Sequence, residues 1–383
     1  MVVIFFMVVG LTARTAQSTP LSSIPEIDLD EPAWKQVNTD GFGKPTITGV
    51  TSLENFNGQL YAGTSNWAEG GQVWRTSNGT DWFAVSEPGF TSTLTYTNPV
   101  ILDMIEFKGQ LYAGTGWDSS VGQIWRSSDG TDWKPVIEDG FGNQTNGSIT
   151  TFTVFSDTLY AAAGNTTEGL EVWRSSTGDT LSWTPVITAG LGYTTSNNVT
   201  GFTLFDGFLY ISIEGTQPCQ VWRSVDGSIW EPITTNGFGD PNNLSMGGWA
   251  ILGDYLYTGI RNDVTGAQLW RSTNGIDFDP IVQDGFGDIN NIKIESLFTY
   301  GENLIAVTQN NVTGMEVMRS NDGLSWSQIN LDGYGDSNNS ATLWSNATAI
   351  FNNHLYIGNW NVITGGEIWE FIGFPTFLPI IKR

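Results

Sequence analysis

Seventeen tryptophans and 39 acidic residues are the chemical capital of this 383-residue chain. Three of the tryptophans, Trp67, Trp117 and Trp360, sit in polar loops, as in Gly116-Trp117-Asp118 and Asn359-Trp360-Asn361. An exposed indole beside Asn, Asp and Ser suits stacking on a sugar ring while neighbours such as Asp118 and Asn361 hold its hydroxyls. The same tryptophans could equally cover the ends of buried strands. Carboxylates for acid–base work on a glycosidic bond are available in Glu69, Asp118, Glu168, Glu214 and Asp263, all near equivalent loops. Three aspartates, Asp240, Asp288 and Asp336, close repeated Gly-aromatic-Gly-Asp motifs followed by asparagines. Oxygen-rich turns of this kind could hold a weak calcium ion, although Gly-aromatic-Gly is also what a sharp crossover requires.

Other chemistries lack material. The single cysteine, Cys219, forms no internal disulfide, and with the single His354 it cannot build a Cys/His zinc site. His354 falls in a hairpin turn, which does not suit a lyase base. Fifteen Lys+Arg against 39 Asp+Glu give a formal net charge of −24. Such a field repels nucleic acid and anionic membrane surfaces.

These residues are positioned by a repeat. Trp74, Trp125, Trp173, Trp222, Trp270, Met318 and Trp369 recur at spacings of 48–51 residues, a period typical of propeller blades. Each copy opens with an apolar run ending in Phe56, Phe107, Phe155, Phe205, Leu252, Tyr300 or Phe351. Five residues later comes Tyr61, Tyr112, Tyr160, Tyr210, Tyr257, Ile305 or Tyr356. Turn pairs such as Asn57-Gly58 and Asp206-Gly207 between them predict a two-residue hairpin. A third strand of the type Val-Trp-Arg follows, then a second hairpin such as Ser127-Ser128-Asp129-Gly130-Thr131-Asp132-Trp133.

Four antiparallel strands per copy and seven copies predict an all-β, seven-bladed β-propeller over residues 33–370. The seventh copy lacks a fourth strand, while Ala33-Trp34-Lys35-Gln36-Val37 is a fourth strand with no preceding three. The N-terminal strand is therefore expected to complete the last blade and close the ring. A linear solenoid would leave both ends unfinished.

The Ser-x-Asp-Gly-x-x-Trp hairpins resemble the Asp-box (BNR) repeat of sialidase-like propellers, over six copies spanning residues 75–326. The likeness is partial, because Asp129-Gly130, Asp226-Gly227 and Asp322-Gly323 are adjacent where that repeat has an intervening residue. It implies a fold, and it brings a sialidase-like hydrolase into view. Such an enzyme needs clustered arginines for its substrate carboxylate. Arg75 through Arg319 repeat around the ring and cannot converge, which leaves Arg261.

Residues 1–18, with the run Val2-Val3-Ile4-Phe5-Phe6-Met7-Val8-Val9 before Ala13 and Ala16, read as a signal peptide. A linker (19–32) and a C-terminal apolar tail (371–383) flank the propeller. The expectation is a secreted or surface-exposed monomer acting as a non-catalytic binding module for carbohydrate. Its site would be Trp67, Trp117, Trp360, Asp118 and Asn361, with calcium at Asp240, Asp288 and Asp336 as an option. Two alternatives stay open: a glycoside hydrolase of sialidase-like propeller type, and a structural propeller whose partner is an extracellular protein.

Overall fold

A computed structural model describes residues 34–90, 98–117, 121–215, 217–341 and 346–373. The signal-peptide and linker segments, Asp118, Trp344 and most of the apolar tail lie outside them. The described chain is all-β, with only single 3-10 turns at the crossovers.

Repeats two to six each form one four-stranded antiparallel sheet in sequential order. The second, for example, uses Ile101–Phe107, Gln110–Thr115, Gln123–Ser127 and Lys134–Ile137. The first and seventh repeats share a nine-stranded sheet, joined by the single pair Gly49↔Trp360. At its far edge Trp34–Gln36 pairs with Ile368–Phe371 in the register Trp34↔Phe371, Lys35↔Glu370 and Gln36↔Trp369. Five of the first hairpins turn on residues that both have positive φ: Asn57-Gly58, Lys108-Gly109, Ser156-Asp157, Asp206-Gly207 and Asn352-Asn353. That backbone matches the twist of the flanking strands.

Every repeat but the sixth, which has Ile305, interlocks with the next through one tyrosine. The second-strand tyrosine reaches the glycine of the next repeat's second hairpin: Tyr61 reaches Gly130, Tyr112 reaches Gly178 and Tyr160 reaches Gly227. Tyr356 of the seventh repeat meets Gly79 of the first in the same way. A Cβ at Gly227 would sit 2.1 Å from the Tyr160 hydroxyl, and its φ of +67° is left-handed. The Asp-Gly hairpin is therefore fixed from two sides, by its own turn and by the preceding sheet.

First strands of neighbouring repeats run side by side and bond directly. The Thr51 hydroxyl donates to the Ile101 carbonyl at 2.6 Å, and that of Thr150 to the Val199 carbonyl at 3.1 Å. Between the first three repeats two carboxylates take over this role. Glu54 accepts from the Glu106 amide at 3.3 Å, while Asp103 accepts from its own strand at Met104 and from Phe152 of the third repeat, at 2.8 and 2.7 Å. Burial pushes Asp103 up to about 7 despite those amides. Burial, with the neighbouring Asp103 adding to it, pushes Glu54 up to about 8.

Two expectations follow. Gly227→Ala lowers stability by about 2 kcal/mol or more in chemical denaturation, and Tyr160→Phe in the same chain recovers part of the loss. For the carboxylates the folded pKa lies above the unfolded one, so the stabilisation is complete below about pH 4 and is lost as pH rises toward about 8. Glu54→Gln should flatten the fall of the thermal midpoint across that window relative to wild type; an unchanged slope would show that the pair does not titrate in the fold.

Candidate functional site

The second-to-third-strand loops and the repeat crossovers share one end of the strands, and there the repeats differ from one another. At one register position, where a first strand begins and a second strand ends, the facing residues are Gly49↔Ser65 in the first repeat and Ser148↔Gly164 in the third. In repeats four, five and six the same position holds Asn198↔Glu214, Ser245↔Arg261 and Lys293↔Gln309. Three consecutive sheets thus place charge where the first and third place small neutral groups and the seventh places Ser340↔Trp360.

Arg261 is clamped on Asp263, with Nε and Nη2 donating to the two carboxylate oxygens at 2.8 Å each. Asp263 belongs to the following loop and is exposed. Beneath them Lys293 and Glu295 form a buried pair, Nζ lying 3.1 Å from Oε1 and 2.9 Å from Oε2. Glu295 occupies the bulge between Ile294 and Ser296, the position that turns Thr51 and Thr150 toward neighbouring first strands. Burial raises the Glu295 carboxyl; the Lys293 ammonium opposes this, Glu214 reinforces it, and Arg261 opposes it more weakly. Asp263 holds Arg261 firmly protonated, helped by Glu214 and Glu295. Five charged groups therefore share one field. Glu214 is half-buried, makes no ion pair among the described residues, and accepts from Asn198 Nδ2 at 3.4 Å.

Asn198 also lines a cavity of about 110 Å³, together with Leu102, Trp117, Thr145, Gly147, Ser148, Gly164 and Thr166. Trp117 connects it to Trp67, whose ring stands edge-on at 5.3 Å and 89°. Trp67 is 46% exposed. Two of the three expected tryptophans are thus brought together. Trp360 is occupied elsewhere: its ring lies against Gly49, where a Cβ would come within 2.7 Å, and so covers the junction of the seventh and first repeats. Trp249 packs on Tyr210 and Phe278, with Nε1 donating to Ser212 Oγ at 3.3 Å.

Several expected site residues are corrected. Asn361 is fully buried and its side chain is spent: Nδ2 donates to Asp336 and Asn339 at 3.1 and 2.7 Å, and Oδ1 accepts from the Ile363 and Thr364 amides. It pins a loop, as Asn66, Asn165, Asn262 and Asn310 do in theirs. Asp240, Asp288 and Asp336 are likewise saturated by amides. Each gives one oxygen to the asparagine two residues on and the other to a loop asparagine, Asn262, Asn310 or Asn361. Among the described residues no three His, Cys, Asp or Glu side chains come together to hold a metal ion. Of the loop carboxylates, Glu69 pairs with Lys44 and Glu168 accepts from Asn143, which leaves Glu214 and Asp263 converging on Arg261. Lys293 and Glu295 went unnoticed in the sequence. Their signal was the alternation Ile292-Lys293-Ile294-Glu295 inside a strand whose counterparts carry no charge there.

No protein-family model and no curated protein matches the chain, so the Asp-box likeness rests on the hairpin residues alone. Solved structures do resemble it. An α-L-arabinofuranosidase from Fusarium graminearum, solved with an iminosugar inhibitor, superposes with a TM-score of 0.51 at 12% identity, covering 88% of this chain and 98% of that one. A polysaccharide lyase matches with a TM-score of 0.52 at 9% identity over 88% and 92%. An ulvan lyase bound to a glucuronate–sulfated rhamnose unit gives 0.52 at 9% over 87% and 94%. At these identities the likeness establishes a propeller-type fold. All three are enzymes, which counts against the non-catalytic binding module expected from the sequence.

Removing the loop pin tests the correction at Asn361. Asn361→Ala strands Asp336 and Asn339 acceptors and should cost roughly 2 kcal/mol of stability. The wild-type thermal midpoint should not move with added calcium; a rise would restore the aspartates as cation ligands.

Proposed function

We propose that this chain is a glycoside hydrolase built on a closed, seven-bladed propeller, with its catalytic centre at Glu214, Arg261 and Asp263. The observation that carries the reading is the convergence of charged side chains from blades four, five and six at one register position where other blades are neutral. Seven sequence repeats, the pairing of Trp34–Gln36 with the seventh repeat and the Tyr356–Gly79 contact support the closed ring. The hairpins support a distant Asp-box-type ancestry. Export from the cell is part of the proposal and rests on the apolar run of residues 2–9.

Glycosidic cleavage requires one carboxyl group to protonate the leaving oxygen and a second, ionised one to assist attack at the anomeric carbon. Asp263, oriented by two Arg261 N–H donors, suits attack at the anomeric carbon. Glu214, half-buried and free of an ion pair among the described residues, suits proton delivery to the leaving sugar oxygen. The buried Lys293–Glu295 pair lies under both and acts through their field. Trp67 and Trp117 offer stacking surfaces beside this centre.

Reducing-end release from arabinan and other neutral polysaccharides measures the activity. Glu214→Gln and Asp263→Asn should each reduce kcat by about 10²-fold or more at unchanged thermal midpoint. Full turnover in both variants would place the chemistry elsewhere.

A further inference from the structure

The hydrolase reading leaves the glycan unspecified, and the distribution of cations at this end of the fold narrows it. Among the described residues Lys44, Arg261 and Lys293 are the cations at the loop end, and each is engaged by a carboxylate: Glu69, Asp263 and Glu295. The repeated arginines lie toward the opposite end. Arg126 pairs with Asp179, Arg223 with Glu231, and Arg271 covers the Tyr255 ring. Among the described residues the cavity beside Glu214 is lined by threonine, serine, asparagine, glycine, one leucine and one tryptophan, with no charged side chain. At about 110 Å³ it is well below the roughly 300 Å³ of a drug-sized pocket and suits one sugar unit. Around it the chain carries a formal charge of −24.

We infer that the substrate is an uncharged glycan, one unit of which enters the cavity between Trp117 and Asn198 next to Glu214. Hydroxyl groups find donors and acceptors in Thr145, Ser148, Thr166 and Asn198, while the ring face meets the indole. A uronate or sulfate would meet two carboxylates, Glu214 and Asp263, and the one accessible cation beside them, Arg261, is already bonded to Asp263. It would also approach against the field of the whole chain. This separates the chain from the ulvan lyase it resembles, whose bound unit is glucuronate with a sulfated rhamnose. The substrate class depends on the hydrolase reading only through the position of Glu214; the cavity and the charge pattern stand by themselves.

The test uses the full chain, wild type and Glu214→Gln, in affinity electrophoresis and cleavage assays. Neutral arabinan, xylan, galactan and β-glucan are set against ulvan, alginate and polygalacturonate, at low and high salt. The expected result is retardation by at least one neutral glycan, insensitive to salt, and none by the polyanions. Trp117→Ala should weaken that retardation about tenfold, and Thr166→Val, a smaller change, should weaken it in the same direction. Retardation or cleavage of a polyanion, or retardation by neither class, overturns the inference. Neutral glycan bound equally by wild type and Glu214→Gln but cleaved by neither leaves the substrate class standing and removes the hydrolase reading.

Discussion

A clamp on the residue after each crossover glycine, an aromatic ring everywhere but at Leu191, is the interaction on which the rest of the structure depends. The residue after the crossover glycine adopts left-handed backbone, with φ of 53° at Phe42, 56° at Phe90 and 62° at Phe141. For a bulky residue this conformation costs about 1–2 kcal/mol, and face-to-face contact with the following repeat offsets it. Phe42 stacks on Trp74 at 4.5 Å, Phe90 on Trp125 at 5.0 Å, Phe141 on Trp173 at 4.6 Å and Tyr334 on Trp369 at 4.3 Å. A second indole, Trp82, Trp133 or Trp183, meets the first three of these rings at a steep angle. The clamp turns the chain from one sheet to the next and fixes the angle at which the next sheet begins.

With the crossover fixed, the two polar systems at that end have separate duties. One is a lattice of asparagines and aspartates, in which Asp288 joins Asn290 to Asn310 and Asn310 joins the loop amides of Val312 and Thr313. It leaves these acceptors satisfied and is repeated from sheet to sheet, which makes it scaffold. The other occurs once. Placing Lys293 and Glu295 among buried side chains carries a desolvation penalty that their mutual attraction does not plainly repay. Removing either partner would leave an uncompensated buried charge. A fold stabilised by symmetric packing has no need of such a pair, so its presence in one sheet marks an asymmetric task.

That asymmetry is what makes a repeating scaffold useful. Equivalent residues around the repeats point in different directions and cannot meet on a single ligand, whereas Glu214, Arg261 and Glu295 come from consecutive sheets and lie within one another's field. The weak similarity to sugar-cleaving and polysaccharide-cleaving propellers agrees with a shared frame on which different side chains are mounted.

The sequence by itself determined the repeat, the strand pattern and the hairpins, because these depend on residue type at short, constant offsets: alternation within a strand, Asn-Gly or Asp-Gly at a turn, tryptophan after valine. It also brought Trp67 near Trp117, since adjacent repeats place equivalent loops side by side. It misassigned Asn361 and the three aspartates, because a polar side chain in a loop reads the same whether its bonds face a ligand or its own backbone. Only the tertiary structure showed that Glu69 is bonded to Lys44, Glu168 to Asn143, Glu214 to Asn198 and Asp263 to Arg261, and only it revealed the Lys293–Glu295 pair. The physical reason is that a site formed between sheets depends on which end of each strand is shared and which partners are already bonded. Those contacts between sheets span 34 to 81 residues of chain, from Arg261–Glu295 to Glu214–Glu295, separations at which spacing carries no information about side-chain direction.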